Sequence, residues 1–246
     1  MPRFFILKRN IQGKRGIIVG EEVEHLRRVL RFGPGDSVTL FDDEGQEHTG
    51  IIRDLRASEA EVEILASYQT DRESSLQVAL ALALTKGEKM DWVIEKATEL
   101  GVRTIIPFVS SHTVPKLDDR KIEKRGERWQ KIALSAAKQC GRTRVPAILP
   151  LSHFRELVEQ PGTDTLKLLF WEQETRRTLK QVHASRPDAT SILLAIGPEG
   201  GFSSEEASLA ITHEFQSIHL GRRILRAETA AITAISLVQF LWGDLA

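Results

Sequence analysis

Residues 192–206 read ILLAIGPEGGFSSEE, and the fold turns on how this stretch is read. An apolar run stops at Gly197-Pro198. Glu199 follows, then Gly200 and Gly201, then Ser-Ser-Glu-Glu. Such an unbroken run marks a strand buried on both faces of a parallel sheet. Ser at the start of SSEEASLAIT, with Glu soon after, opens a helix in the manner of a capping box. The stretch is therefore strand, glycine loop, helix. In open α/β sheets ligands bind outside the carboxyl ends of the strands, where this loop lies. Gly197, Gly200 and Gly201 allow main chain to close around a ligand. The loop matches neither G-x-G-x-x-G nor the P-loop pattern, and Glu199 would repel a phosphate. It suits a ligand that carries positive charge, or hydroxyls without phosphate. A turn that only reverses the chain is the alternative.

The same grammar recurs at residues 218–235, IHLGRRILRAETAAITAI. A strand ends at Leu220-Gly221, basic residues follow, and Glu228-Thr229 opens a long apolar helix. Two such loops can line one pocket, with Arg222, Arg223 and Arg226 at its mouth. A helix start is the unfavourable end for cations, so these arginines point to an anionic partner. Further out, LQVALALALT (76–85), TIIPFVS and TLKLLFWE read as strands. KMDWVIEKATELGV and KRGERWQKIALSAAKQCG read as helices. Strand and helix alternate, which defines an α/β class with a parallel sheet. Residues 1–66 differ. RFFIL, SVTLFDDEG, HTGIIRDLR and EAEVEIL are short strand runs around one helix, GEEVEHLRRVLR, whose Val23, Leu26, Val29 and Leu30 have helical spacing. This suggests a small barrel. The polar stretch SYQTDRESS (67–75) reads as the linker.

Hydrophobic residues make up 41% and charged residues 28% of the 246-residue chain, as in ordinary globular proteins. No apolar run approaches the roughly 20 residues of a membrane span. The N-terminal MPRFFILKRN lacks the apolar core and cleavage site of a signal peptide, so a cytoplasmic address is expected. The single cysteine, Cys140, excludes an internal disulfide framework and a cysteine-based metal site. Net charge is zero, but residues 1–35 hold eight Lys and Arg against three Asp and Glu, and residues 86–145 hold fourteen against eight. Local basic surfaces of this kind can hold a polyanion; solvated helix faces are the alternative reading.

IGPEGGFSSEE followed by LGRRILRAETA resembles the signature pair of the knotted SPOUT-class methyltransferases. Within that class the chain resembles the ribosomal RNA small-subunit methyltransferase E family. KGEKMDWVIEKATELGV with IIPFVS, WQKIALSAAKQCGR with VPAI, and HLRRVLRFGPGDSVTLFDDEG match further blocks in order, the last resembling a PUA-like β domain. The resemblance implies a PUA-like RNA-binding domain over 1–70 and a SPOUT methyltransferase domain over 71–246, with a C-terminal trefoil knot, an exception to the unknotted rule. It implies a homodimer that transfers a methyl group from S-adenosylmethionine to N3 of uridine 1498 in 16S ribosomal RNA, without a metal. One departure is Ala227, where the family usually has Thr.

S-adenosylmethionine has no phosphate, and a backbone-lined pocket with apolar walls suits it. The residues assigned to it are Phe170, Ile196, Gly197, Pro198, Gly200, Gly201, Leu220, Gly221, Ile224 and Leu225, with Glu228, Thr229 and Ala230 at the helix start. Uracil N3 must lose a proton, and cationic donors would stabilise the resulting anion. Arg226 is the first choice and Arg223 the second. Glu199 either fixes the loop, through backbone amides or Arg226, or faces substrate or the methionine part of the cofactor. His219 reads as a packed strand residue, and the proton acceptor is left unassigned. Arg3, Lys8, Arg9, His25, Arg27, Arg28, Arg31, Lys86, Lys89, Arg142 and Arg144 are the expected RNA contacts, His25 having packing as its alternative. Other RNA positions, a non-enzymatic RNA-binding assembly factor and, less favoured for want of a phosphate motif, a nucleotide-dependent enzyme are the rival readings.

Overall fold

The computed structural model describes residues 2–42, 44–70, 72–113, 118–159 and 164–245. The chain forms two compact units. The first comprises Met1–Glu73 with Ala137–Val145, the second Ser74–Ala136 with Pro146–Ala246.

The first unit is built on strands β1 (Arg3–Ile6), β2 (Ile11–Gln12), β3 (Arg15–Val19), β4 (Ser37–Asp42), β5 (Gln46–Leu55) and β6 (Glu59–Gln69), with helix α1 (Glu21–Glu24) after β3. They form one six-stranded sheet in the order β1-β4-β5-β6-β3-β2. Phe4, Ile6, Ile18, Val38, Leu40, Ile52 and Val62 form its core with Val23 and Leu26. Two expectations are corrected, and one element has no counterpart in the sequence reading. The β2–β3 hairpin was missed, because a two-residue strand leaves no period to read. The helix expected over 20–31 holds one regular turn and then widens into a π-helical stretch, His25–Val29, where the Leu30 N–H reaches the His25 carbonyl at 3.1 Å. The wider turn shifts the apolar stripe by one residue. Val29 is 65% exposed, and Leu30 packs on the core instead. Residues 67–69 are not linker: Ser67, Tyr68 and Gln69 pair with His48, Glu47 and Gln46.

The second unit contains β7 (Gln77–Ala83), α2 (Lys89–Glu99), β8 (Thr104–Val109), α3 (Asp119–Cys140), β9 (Ala147–Ile148), β10 (Ser152–His153), α4 (Phe154–Glu159), β11 (Leu166–Phe170), α5 (Leu179–Ser185), β12 (Ser191–Ile196), α6 (Ser204–Thr212), β13 (Gln216–Ile218) and α7 (Ala227–Trp242). The last turn of α3 groups with the first unit. The sheet is ordered β10-β8-β7-β12-β11-β13, with β9 also on β8. Every pair is parallel. All five residues of β11 are buried. Each large apolar side chain so buried contributes about 1.5–3 kcal/mol, which explains why these strands read as continuous apolar runs. Helix α6 has the expected capping box: Ser203 Oγ accepts the Glu206 N–H, and Glu206 accepts the Ser203 N–H.

The register sets up the site. Phe170 of β11 stands opposite Ile196 of β12 and Ile218 of β13. Three adjacent parallel strands thus end in one row, and the loops that follow them leave the sheet side by side.

Candidate functional site

A cleft of about 590 Å³ opens beyond that row. Phe170, Ile196, Ile218, Leu220 and Leu225 give it apolar walls. Residues 197–201 and 219–226 line it too, with Ala227 and Ala230 of α7. Of the residues assigned to the cofactor from sequence, Phe170, Ile196, Gly197, Pro198, Gly200, Gly201, Leu220, Gly221, Ile224, Leu225 and Ala230 line the cleft, while Glu228 and Thr229 do not. Glu199, Arg223 and Arg226 also line it. So does Arg222, expected at the mouth, and so do Lys89, Trp171, Glu172, Ile218 and His219, to which sequence reasoning gave no place in this pocket. His219 is not inside a strand, since β13 stops at Ile218. Its Nδ1 accepts the Gly221 N–H at 3.1 Å and shapes the second loop.

The three glycines have reasons that sequence could not supply. A Cβ on Gly200 would lie 2.9 Å from the His112 Cβ, and one on Gly197 would lie 3.2 Å from the Phe202 ring. Gly201 has φ +70°, the left-handed region that favours glycine, and the Glu172 carboxylate stands beside it. Side chains of the protein itself stand beside all three Cβ positions, and the three glycines also line the cleft.

Glu199 is held by the start of α2, not by Arg226. Its Oε1 accepts the Lys86 N–H at 3.2 Å and Lys89 Nζ at 3.0 Å. Burial pushes its carboxyl up, but its own N–H, Lys89 and the Lys86 N–H outweigh that and keep it below the usual range. The bond to Glu199 raises the Lys89 ammonium in turn, with Glu228, 3.7 Å away, adding to it and Arg226 opposing. Lys89, expected to touch RNA, lines this cleft and is paired there with Glu199. Arg222, Arg223 and Arg226 have no acidic partner among the described residues, so three guanidinium groups face outward unneutralised.

The loop after β11 is anchored by Glu174. It accepts the Ser217 hydroxyl and the N–H groups of Arg176 and Arg177, at 2.8 and 3.2 Å. Ser217 above all, with those amides, lowers its carboxyl from 4.5 to about 2. A lowered carboxyl stabilises the fold above its unfolded value and loses that contribution as pH falls through the folded one. Glu174→Gln is therefore expected to lower Tm at neutral pH, with the gap to wild type narrowing from about pH 4.5 to about pH 2. Melting curves across that window check it; a gap that does not narrow rejects Glu174 as an ionised anchor.

The expected RNA contacts divide. Two have partners within the first unit. Arg3 is paired with Glu47 and donates to the carbonyls of Ala137 and Arg142. Arg142 is 5% exposed and grips Glu73 through Nη2 at 2.7 Å. We propose structural roles for both, because a guanidinium so enclosed is screened from phosphate. His25 packs edge-on against Phe4, as the alternative had it. Lys8 bonds to Gln46 at 3.0 Å, and Arg28 pairs with Glu24 at 3.7 Å. Arg9, Arg27, Arg31 and Lys86 are exposed, and Arg144 is half-buried. Among the described residues no group of His, Cys, Asp and Glu could hold a metal ion, and no helix is long and apolar enough to cross a membrane.

A parallel sheet whose strand ends carry a basic, apolar-walled cleft, in a chain that also carries a small β unit, agrees with two family matches. Residues 72–239 match the RNA methyltransferase domain, and residues 18–65 match the RNA methyltransferase PUA domain. That is the class. Similarity over nearly the whole chain narrows it. The ribosomal RNA small subunit methyltransferase E of Bacillus subtilis is 32% identical over 98% of this chain and 96% of its own length. That of Mesomycoplasma hyopneumoniae is 38% identical over 94% and 96%. A solved structure of the Neisseria gonorrhoeae protein of that name, bound to S-adenosyl methionine, superposes with a TM-score of 0.90 at 36% identity and full coverage of both chains. The chain belongs to the ribosomal RNA small subunit methyltransferase E family.

Proposed function

We propose that this protein methylates N3 of uridine 1498 in 16S ribosomal RNA, with S-adenosylmethionine as donor bound in the cleft at the ends of β11, β12 and β13. The observation that carries the reading is the cleft's composition: apolar walls and main chain for an adenosine, and three unneutralised arginines at the mouth for an RNA. Its volume lies within the roughly 300–1,000 Å³ of small-molecule sites. Trp171 Nε1, buried with no acceptor among the described residues, and the Glu172 carboxylate against Gly201 are polar groups that a cationic amino-acid ligand can engage.

The bound cofactor supplies a methyl group on a sulfonium. The residues of the chain do the rest. Residues 197–201 and 219–225 enclose the donor. Arg226, the residue before α7, aims a guanidinium toward the charge that spreads onto the uracil carbonyl oxygens once N3 is deprotonated, and Arg223 stands in support. Glu199, neutralised by Lys89, keeps the first loop in place.

The same reading takes residues 1–70 as the RNA guide and 71–246 as the methyltransferase domain with its trefoil knot, in a cytoplasmic homodimer. Leu237 and Phe240, 39% and 58% exposed on α7, support a second copy as their cover. Arg9, Arg27, Arg31, Lys86 and Arg144 are the phosphate contacts this reading retains. RNA affinity should then fall steeply with salt, the slope shrinking by about one per contact removed; a flat dependence rejects these contacts.

The deciding experiment is transfer of labelled methyl from S-adenosylmethionine to small ribosomal subunits that lack the modification, with the product nucleoside identified. 3-Methyluridine at the expected position is the predicted outcome. Label on another nucleoside overturns the substrate assignment, and cofactor binding without transfer favours an RNA-binding factor.

A further inference from the structure

We propose that residues 110–113, the turn after β8, brace the glycine loop from behind, and that His112 is the positioning residue that sets this loop's shape for the cofactor. The inference rests on reading the cleft as the S-adenosylmethionine site.

The turn is rigid in itself. Thr113 Oγ1 accepts the Ser110 N–H at 2.8 Å, and the Thr113 N–H returns to the Ser110 carbonyl at 3.1 Å. It is then tied to the far end of the loop. The Ser111 N–H and hydroxyl donate to Glu206 Oε1 and Oε2 at 2.8 and 2.9 Å, and Glu206 belongs to the capping box of α6. The middle of the loop is held by His112. Its Nδ1 lies 3.0 Å from the Gly200 carbonyl oxygen and 3.2 Å from that of Gly201.

Carbonyl oxygens only accept, so Nδ1 carries the proton whether the ring is neutral or charged. Both carbonyls are thereby turned toward the brace. The His112 Cβ, 2.9 Å from where a Cβ on Gly200 would lie, sets how closely the loop meets this turn, and it is kept in every variant below. His112 does not line the cleft, whereas Gly200 and Gly201 do. It acts on the ligand only through the loop.

Three substitutions test this, because His Nδ1 is bonded directly to Cγ. The amide nitrogen of Asn is also bonded to Cγ and can keep the donor in place. That of Gln lies one atom further out, and Ala has none. S-adenosylmethionine affinity is measured by calorimetry, and kcat at saturating cofactor alongside it. His112→Ala is expected to raise Kd about tenfold, equivalent to 1.4 kcal/mol, with kcat within about threefold of wild type. His112→Asn should recover most of the affinity and His112→Gln little of it. Exchange of the Gly201 N–H, which bonds to the Pro198 carbonyl at 2.9 Å, should quicken in the alanine variant even without cofactor. A wild type that binds no S-adenosylmethionine overturns the site reading itself. A wild type that binds, with an alanine variant of equal affinity or an asparagine variant no better than glutamine, overturns the brace alone.

Discussion

Arg226→Ala is expected to cut methyl transfer by about a hundredfold to a thousandfold while S-adenosylmethionine affinity stays within about threefold. The magnitude is that of removing one donor directed at developing charge. The asymmetry between rate and affinity follows from where the side chain stands. Arg226 precedes α7, lines the cleft, and has no acidic partner among the described residues. Its neighbour Lys89 is already engaged by Glu199. The guanidinium is thus free for a group that becomes anionic only during reaction, and such an interaction shows in kcat more than in binding. Arg226→Lys should restore a part of the rate, because it keeps the charge but not the planar fork. Single-turnover transfer with saturating cofactor and subunits, together with calorimetry of cofactor binding, measures both quantities. An alanine variant that turns over within a few-fold of wild type removes Arg226 from the mechanism. One that loses cofactor affinity in proportion to rate makes it a ligand-binding residue instead.

What could be read from the sequence, and what could not, follows from the range of the interactions. The strands β7, β11 and β12 announce themselves because a strand buried on both faces must be apolar throughout. The start of α6 announces itself because its cap is local, Ser203 and Glu206 being three residues apart. The glycine loops were legible as a site for the same reason. The partners that shape them were not. Lys89 meets Glu199 across 110 residues of chain, and His112 meets Gly200 across 88. No periodicity encodes such pairs. A basic residue near other basic residues reads as a phosphate contact until its acidic partner is seen, and Lys89, Arg3 and Arg142 each have such a partner. The exposed Arg9, Arg27 and Arg31 kept that reading because no described partner claims them.

Arg142 yields the second large effect, and it is one of stability. Glu73 receives Arg142 Nη2 at 2.7 Å and Nε at 3.1 Å, and also the N–H groups of Thr143 and Arg144, each at 3.1 Å. One carboxylate thus ties residues 142–144 to the chain just beyond β6. Glu73→Ala would leave the guanidinium buried without that counter-charge and two backbone donors without their acceptor. Breaking a buried pair from one side costs about 3–5 kcal/mol, far more than an exposed pair is worth. Glu73→Ala is therefore expected to destabilise the first unit by that amount, read as a lower midpoint in denaturant unfolding. The double variant Glu73→Ala with Arg142→Met should recover part of the loss, because it removes the stranded charge and keeps much of the volume. The salt slope of RNA binding gives the opposing test. A structural Arg142 leaves that slope unchanged in the folded double variant, whereas a phosphate contact lowers it by about one. A small stability loss combined with a reduced slope would return Arg142 to the RNA surface.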